Sequence, residues 1–213
     1  MTENGGGWTL IARFSNGDGK NWMRDDGYWW YDQRSSQGQT TNPSNNYDMV
    51  SPAFWLVTGR EFKITRSDDS SHTALLRTTS NCLRGRTFRS MISSFGRFTG
   101  CTSWASNRCR GSCSVTYGGL YRSTSGFSQA RCSSNIQRSS NIGFWCDWSS
   151  GDGAVMMIGG GGSGCQRADH GIGITENNDS TFQDCSSDIG ELDFGNEAQR
   201  TPTTQYSLNL WVR

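Results

Sequence analysis

The chain has 213 residues and a mass of 23.6 kDa, enough for one large domain with a real core. A mean hydropathy of −0.66 leans towards disorder, but nine Trp, ten Phe and six Tyr are residues that a disordered linker does not carry. The formal net charge of +1, only two Lys and no nucleic-acid-binding motif argue against a nucleic-acid partner, and no apolar run is long enough for a membrane helix.

In chain order, Met1 is followed by Thr-Glu-Asn-Gly-Gly-Gly rather than a basic and apolar leader, so any secretory signal is expected to have been removed. Trp8, Leu10, Ala12 and Phe14 recur at a period of two, which predicts a half-buried strand with all four on one face. Asn16–Gly19 predicts the turn that closes it. Residues 21–55 set Trp22, Tyr28, Trp29, Trp30, Tyr31 and Trp55 among turn formers and read as a loop anchored by aromatics. Arg60–Arg66 alternates again, with a turn at Asp68–Ser71, and Arg86–Phe95 has room for one or two helical turns. Ala154–Ile158 is a continuous apolar run, expected as a buried central strand, and Gly159–Gly162 follows it. Tyr206–Arg213 alternates as a last strand. No internal repeat or linker interrupts the chain, so residues 1–213 are expected to form a single domain.

Twenty-seven Gly and thirty Ser against three Pro predict a turn-rich architecture rather than a helix bundle. The eight Cys all follow residue 81, and the tightest pair is Cys109 and Cys113, with only His72 and His170 as imidazoles. That pattern suits disulfides better than zinc thiolates, and hence an oxidising, extracellular setting. Eight Cys allow 105 pairings, which leaves the connectivity open.

Charge is segregated. Ten Arg and no acid lie between Asp69 and Asp147, whereas ten acids and the single Arg167 lie from Asp147 to Glu197. The basic stretch is either a solvated face or a patch for acidic polymers such as sulfated glycans. The acidic stretch has what a hard cation needs, because calcium takes six to eight oxygens from carboxylates and carbonyls. Asp169, Glu176 and Asp179 lie within eleven residues and are interleaved with Gly171 and Gly173, glycines expected to let the backbone fold back. The order is not that of an EF-hand. His170 beside Asp169 lacks any nucleophile motif, so no enzyme is expected. Phe144–Trp148 and Leu192–Phe194 put aromatic rings next to these acids, as sugar rings require.

On these residues the chain resembles the fibrinogen-related lectins and, within them, the intelectins (X-type lectins). Gly5–Ile11 resembles the opening of a fibrinogen-like domain, and Asn42–Asp48, Ala74–Arg77 and the final strand follow in the intelectin order. The resemblance implies an α+β class: a single intelectin-like domain of twisted antiparallel sheets with short helices, long calcium-binding loops and disulfide links. It also implies a secreted lectin of innate immunity that binds cell-surface or microbial glycans and acts as a homo-oligomer. Cys165 matches the family's cysteine before the calcium cluster, Gln166, Ala168 and Asp169 occupy ligand positions, and Asp179 matches the later acid. Phe194 falls where the family places a pocket Trp. Ala168 cannot ligate, so Glu176 is expected to complete the shell; the family's early Cys is absent, which leaves Cys185 without its expected partner.

The expected site is therefore a Ca2+ ion held by Asp169, Glu176 and Asp179, with His170 ligating or orienting a ligand. Phe194 and Trp148 stack on the sugar. Asp147, Asp152, Asp188 and Asp193 are expected to hold a second, structural ion. Asn178 begins a glycosylation sequon inside this region. The competing expectation is an adhesive matrix protein whose Arg-rich face binds acidic polymers.

Overall fold

Period-two patterning dominates the chain, and strands dominate the fold. The computed structural model describes residues 7–15, 30–32, 34–96, 108–118, 140–147, 153–158, 170–175, 192–194 and 206–213. Its strands begin with β1 (Thr9–Ser15), β2 (Met49–Val50), β3 (Thr58–Gly59), β4 (Phe62–Arg66), β5 (Ala74–Thr78) and β6 (Arg86–Thr87). They continue with β7 (Arg108–Tyr117), β8 (Asn141–Asp147), β9 (Gly153–Met157), β10 (His170–Thr175), β11 (Leu192–Phe194) and β12 (Ser207–Val212). Ten of them form one sheet in the order β11-β10-β9-β8-β7-β5-β4-β12-β1-β2, while β3 and β6 pair separately. Every pairing is antiparallel except β10 with β11.

The expected α+β class is corrected to a mostly antiparallel β fold. Only two short helices are described, α1 (Ala53–Leu56) and α2 (Phe88–Phe95). The reason lies in the spacing: Phe88, Met91, Ile92 and Phe95 repeat at i, i+3, i+4 and i+7 on α2, whereas the segments at 60–66 and 206–213 alternate and the run at 154–158 is continuous, as in a buried strand. Thr87 starts α2 by accepting the Ser90 N–H at 3.1 Å. Among the described residues no helix is long and apolar enough to cross a membrane.

The two helices pack on one face of the sheet. Phe62 meets Phe88 edge-on with ring centres 5.3 Å apart and Phe144 at 6.2 Å, while Phe54 lies 5.6 Å from Phe88. Leu208, Leu210 and Val212 of β12 join this core, and Trp211 points to the opposite face. The single face expected for Trp8, Leu10, Ala12 and Phe14 is broken. Leu10 pairs with Trp211 and Ala12 with Leu210, so Ile11 is a bulge residue. Trp8 and Leu10 consequently pack with Trp211, whereas Ala12 and Phe14 enter the main core.

Within 21–55, the described part holds a 3-10 turn at Trp30–Asp32, β2 and α1 rather than loop alone. The segment 37–48 is clamped over the outer sheet face. Fully buried Arg13 donates to the carbonyls of Tyr47 (2.7 Å), Asn42 (2.7 Å) and Gln39 (2.9 Å). Asn209 donates to the Pro43 carbonyl at 2.7 Å, and Ser15 Oγ and Ser207 Oγ both bond Asn46 Oδ1. Three carbonyls without a donor would each carry a desolvation cost, so one guanidinium stabilises a turn-rich segment that has little apolar packing of its own.

Two disulfides tie β7 to its surroundings: Cys82–Cys113 and Cys109–Cys146. The second joins directly opposed residues of β7 and β8. Gly143 lies against it, and a Cβ there would overlap both Sγ atoms. Cys101, Cys132, Cys165 and Cys185 fall outside the described residues.

Candidate functional site

Of the residues expected to hold calcium or sugar, the described ones are Asp147, His170, Asp193 and Phe194, all in the β8–β11 half of the sheet. Asp169, Glu176, Asp179, Asp152, Asp188 and Trp148, together with Asn178, lie outside the described residues. The backbone register relates the four. Parallel pairing sets His170 beside Leu192, Gly171 beside Asp193 and Ile172 beside Phe194. At the other end of β10, Thr175 pairs with Gly153, which pairs with Asp147 on its other side.

Gly171 and Gly173 do not fold the backbone back. They alternate with Ile172 and Ile174 in β10, and Ile172 is fully buried. At about 3.3 Å per residue the strand separates His170 from Thr175 by roughly 17 Å. The acidic positions that flank it in sequence, Asp169 and Glu176, therefore adjoin different ends of one strand.

Trp145 is core, not a sugar wall. It is fully buried, its ring stands edge-on to Tyr31 at 4.8 Å, and Nε1–H donates to the Ile92 carbonyl at 2.9 Å. Its φ of 51° is an uncommon conformation for a bulky residue. That twist explains how consecutive residues of one strand reach the same helix: Phe144 stacks on Phe95 at 5.6 Å while Trp145 bonds Ile92.

A second candidate, in the acid-free segment, is a cleft of about 200 Å³ between residues 80–86, α2 and β7. The Cys82–Cys113 disulfide lies in its wall, and Ser80, Ser94, Ser112, Ser114, Arg84 and Arg86 are among the residues that line it. Arg86 Nη1 donates to Ser94 Oγ at 3.4 Å, and Ser94 donates to the Met91 carbonyl at 2.6 Å. The sequence showed the excess of Arg but not that a turn and a disulfide gather two of them over serines.

Several other described cations are engaged, namely Lys63, Arg66, Arg77, Arg89 and Arg213. Lys63 sits between Trp8 and Trp211, 5.2 and 5.3 Å from their ring centres, and Arg213 lies 4.7 Å from the Trp8 ring. Glu61 accepts from Arg77 at 3.0 Å and from Arg213 at 2.9 Å. Burial opposes its charge, but the two guanidinium groups outweigh burial and hold its pKa below the ordinary value. Arg66 pairs with Asp68 and lies 4.0 Å from the Tyr206 ring, whose hydroxyl is pushed above its usual pKa by burial. Arg89 pairs with Asp32 at 3.1 Å. Each of these contacts joins one element to another and accounts for its cation structurally.

Compared with known proteins, the chain matches no family model and no curated protein.

Proposed function

We propose that the protein is an extracellular, calcium-dependent carbohydrate-binding lectin of intelectin-like type. The observation that supports this reading is the register of β8–β11, which brings Asp147, His170 and Asp193, one described residue from each of three widely spaced segments, into one run of four adjacent strands. The two disulfides suit an oxidising compartment. The donor set is carboxylates among Gly, Asn and Ser, the hard oxygen chemistry that calcium takes in preference to softer metals.

The register also supports a division of labour. We assign Asp169, His170, Asp188 and Asp193 to one ion, at the end of β10 where His170 pairs with Leu192. We assign Glu176 and Asp179, with Asp147 and Asp152, to a second ion at the other end of β10, where Thr175 pairs with Gly153 and Gly153 with Asp147. One ion at the first end would offer open coordination positions to vicinal hydroxyls, with Phe194 as the apolar wall. The other ion would fix the loops. Weak single contacts of this kind gain avidity from a homo-oligomer.

The test is a glycan array probed with and without calcium, repeated with Asp169→Asn/Asp193→Asn and with Asp147→Asn/Glu176→Gln. The first pair is expected to abolish glycan binding with the circular dichroism spectrum unchanged. The second is expected to lower thermal stability in calcium and to weaken binding only indirectly. Glycan binding undiminished in excess EDTA would contradict the reading.

A further inference from the structure

We propose that the cleft beside the Cys82–Cys113 disulfide binds a sulfate group of an acidic polysaccharide, independently of calcium. Its entrance is a tight turn: Arg86 N–H donates to the Leu83 carbonyl at 2.9 Å, and the two central residues, Arg84 and Gly85, have φ of 53° and 73°. This is a type I′ turn, which favours Asn-Gly or Gly-Gly because both central residues are left-handed. An Arg in the first central position is strained. Arg84 has no hydrogen bond or ion pair among the described residues that offsets the strain, and its side chain is exposed. A residue that weakens its own turn, makes no hydrogen bond or ion pair among the described residues and lines a cleft is explained by what enters the cleft.

The lining says what that is. Arg84 and Arg86 bring two guanidinium forks, and no Asp or Glu lines the cleft. Among the described residues the Ser80 hydroxyl has no partner, whereas Ser112 and Ser114 alternate with Cys113 along β7 and turn their side chains away from the disulfide. Two forked guanidiniums offer more donors than a carboxylate with two oxygens accepts and suit an oxyanion with three terminal oxygens. At about 200 Å³ the space is below the roughly 300 Å³ of the smallest drug-sized pockets, so it admits one substituent rather than a whole oligosaccharide. A single-stranded nucleic acid is disfavoured because the aromatic in the wall, Phe95, is stacked on Phe144 and lies against Gly111, leaving it unsuited to base stacking. The disulfide clamps the segment bearing the two Arg to β7, so that segment is held in place before the ligand arrives.

The experiment titrates the full chain with a heparin-type sulfated hexasaccharide, its desulfated counterpart and an oligothymidylate of matched charge, all in excess EDTA at near-physiological salt. The sulfated sugar is expected to bind, with affinity falling steeply as salt rises. Arg84→Gly and Arg86→Ala are each expected to weaken it by roughly tenfold, with the melting temperature of Arg84→Gly equal to or above that of the parent. Arg77→Ala removes the same charge from the sheet face that carries Trp8 and is expected to leave the affinity unchanged. The proposal is overturned by unchanged affinity in Arg84→Gly, by an equal loss in Arg77→Ala, or by equally tight binding of the desulfated sugar or the oligothymidylate. Binding that disappears in EDTA would also overturn it while leaving the calcium reading intact, and loss of calcium-dependent glycan binding alone would do the reverse.

Discussion

The two halves of the large sheet are held by different means. Around β12, strands β1, β4 and β5 carry an apolar core on one face and on the other a polar and cationic cover, in which Arg13, Asn209, Lys63 and Glu61 each bridge elements. No cysteine lies in those strands. From β7 onwards the strands are rich in Gly, Ser and Cys, and two disulfides fasten β7 to β8 and to the chain after β5. The difference shows how a chain with 33% hydrophobic residues holds a long sheet: one apolar core runs under both halves, with Ile142, Phe144, Val155 and Met156 in the second, and that second half is also constrained covalently.

The largest effect expected from breaking that division comes from Cys109→Ser/Cys146→Ser. Opening a crosslink with a sequence separation of 37 should cost about 4 kcal/mol on the chain-entropy account, read from urea unfolding. Hydrogen exchange in the double variant should quicken in β7–β9 while β1, β4 and β12 keep their protection. Equal loss of protection in both halves would show that they unfold as one unit.

Arg13→Met probes the other half. It leaves the carbonyls of Gln39, Asn42 and Tyr47 without their donor and should cost about 2–4 kcal/mol. Proteolysis should then begin within 37–48, with the disulfide-linked strands still intact.

How much of this was legible depends on which half is considered. The strands at 60–66 and 206–213 alternate because one face is core and the other is not, and the buried run at 154–158 lies between two neighbouring strands. The helical stripe of Phe88, Met91, Ile92 and Phe95 was equally plain. β7, β8 and β10 were not, since Ser, Gly, Arg and Cys supply most of β7, the consecutive Phe144 and Trp145 break the alternation of β8, and two glycines in β10 read as turn formers. The bulge at Ile11 left no local signal, and neither did Arg13, whose partners lie 26 to 34 residues away. The acidic candidates were visible as a cluster in sequence, but the strand between Asp169 and Glu176 was hidden by two glycines that read as turn formers. The Arg-lined cleft needed a disulfide pairing that composition cannot choose.

The smallest effect concerns Glu61. Its folded pKa lies below the ordinary 4.5, so its contribution is present above that pH and is lost as pH falls through the folded value. Glu61→Gln should cost about 1 kcal/mol near neutrality, because the carboxylate is a quarter exposed and partly screened. The gap between variant and parent should shrink in urea titrations as pH drops below 4.5.

Hydrogen–deuterium exchange of the full chain with and without calcium tests the functional account most directly. Calcium is expected to slow exchange at β8–β11 and leave β1, β4 and β12 unchanged, with a glycan ligand adding protection at β10 and β11 only when calcium is present. No calcium effect at β8–β11, or a glycan footprint that persists in EDTA, would contradict it.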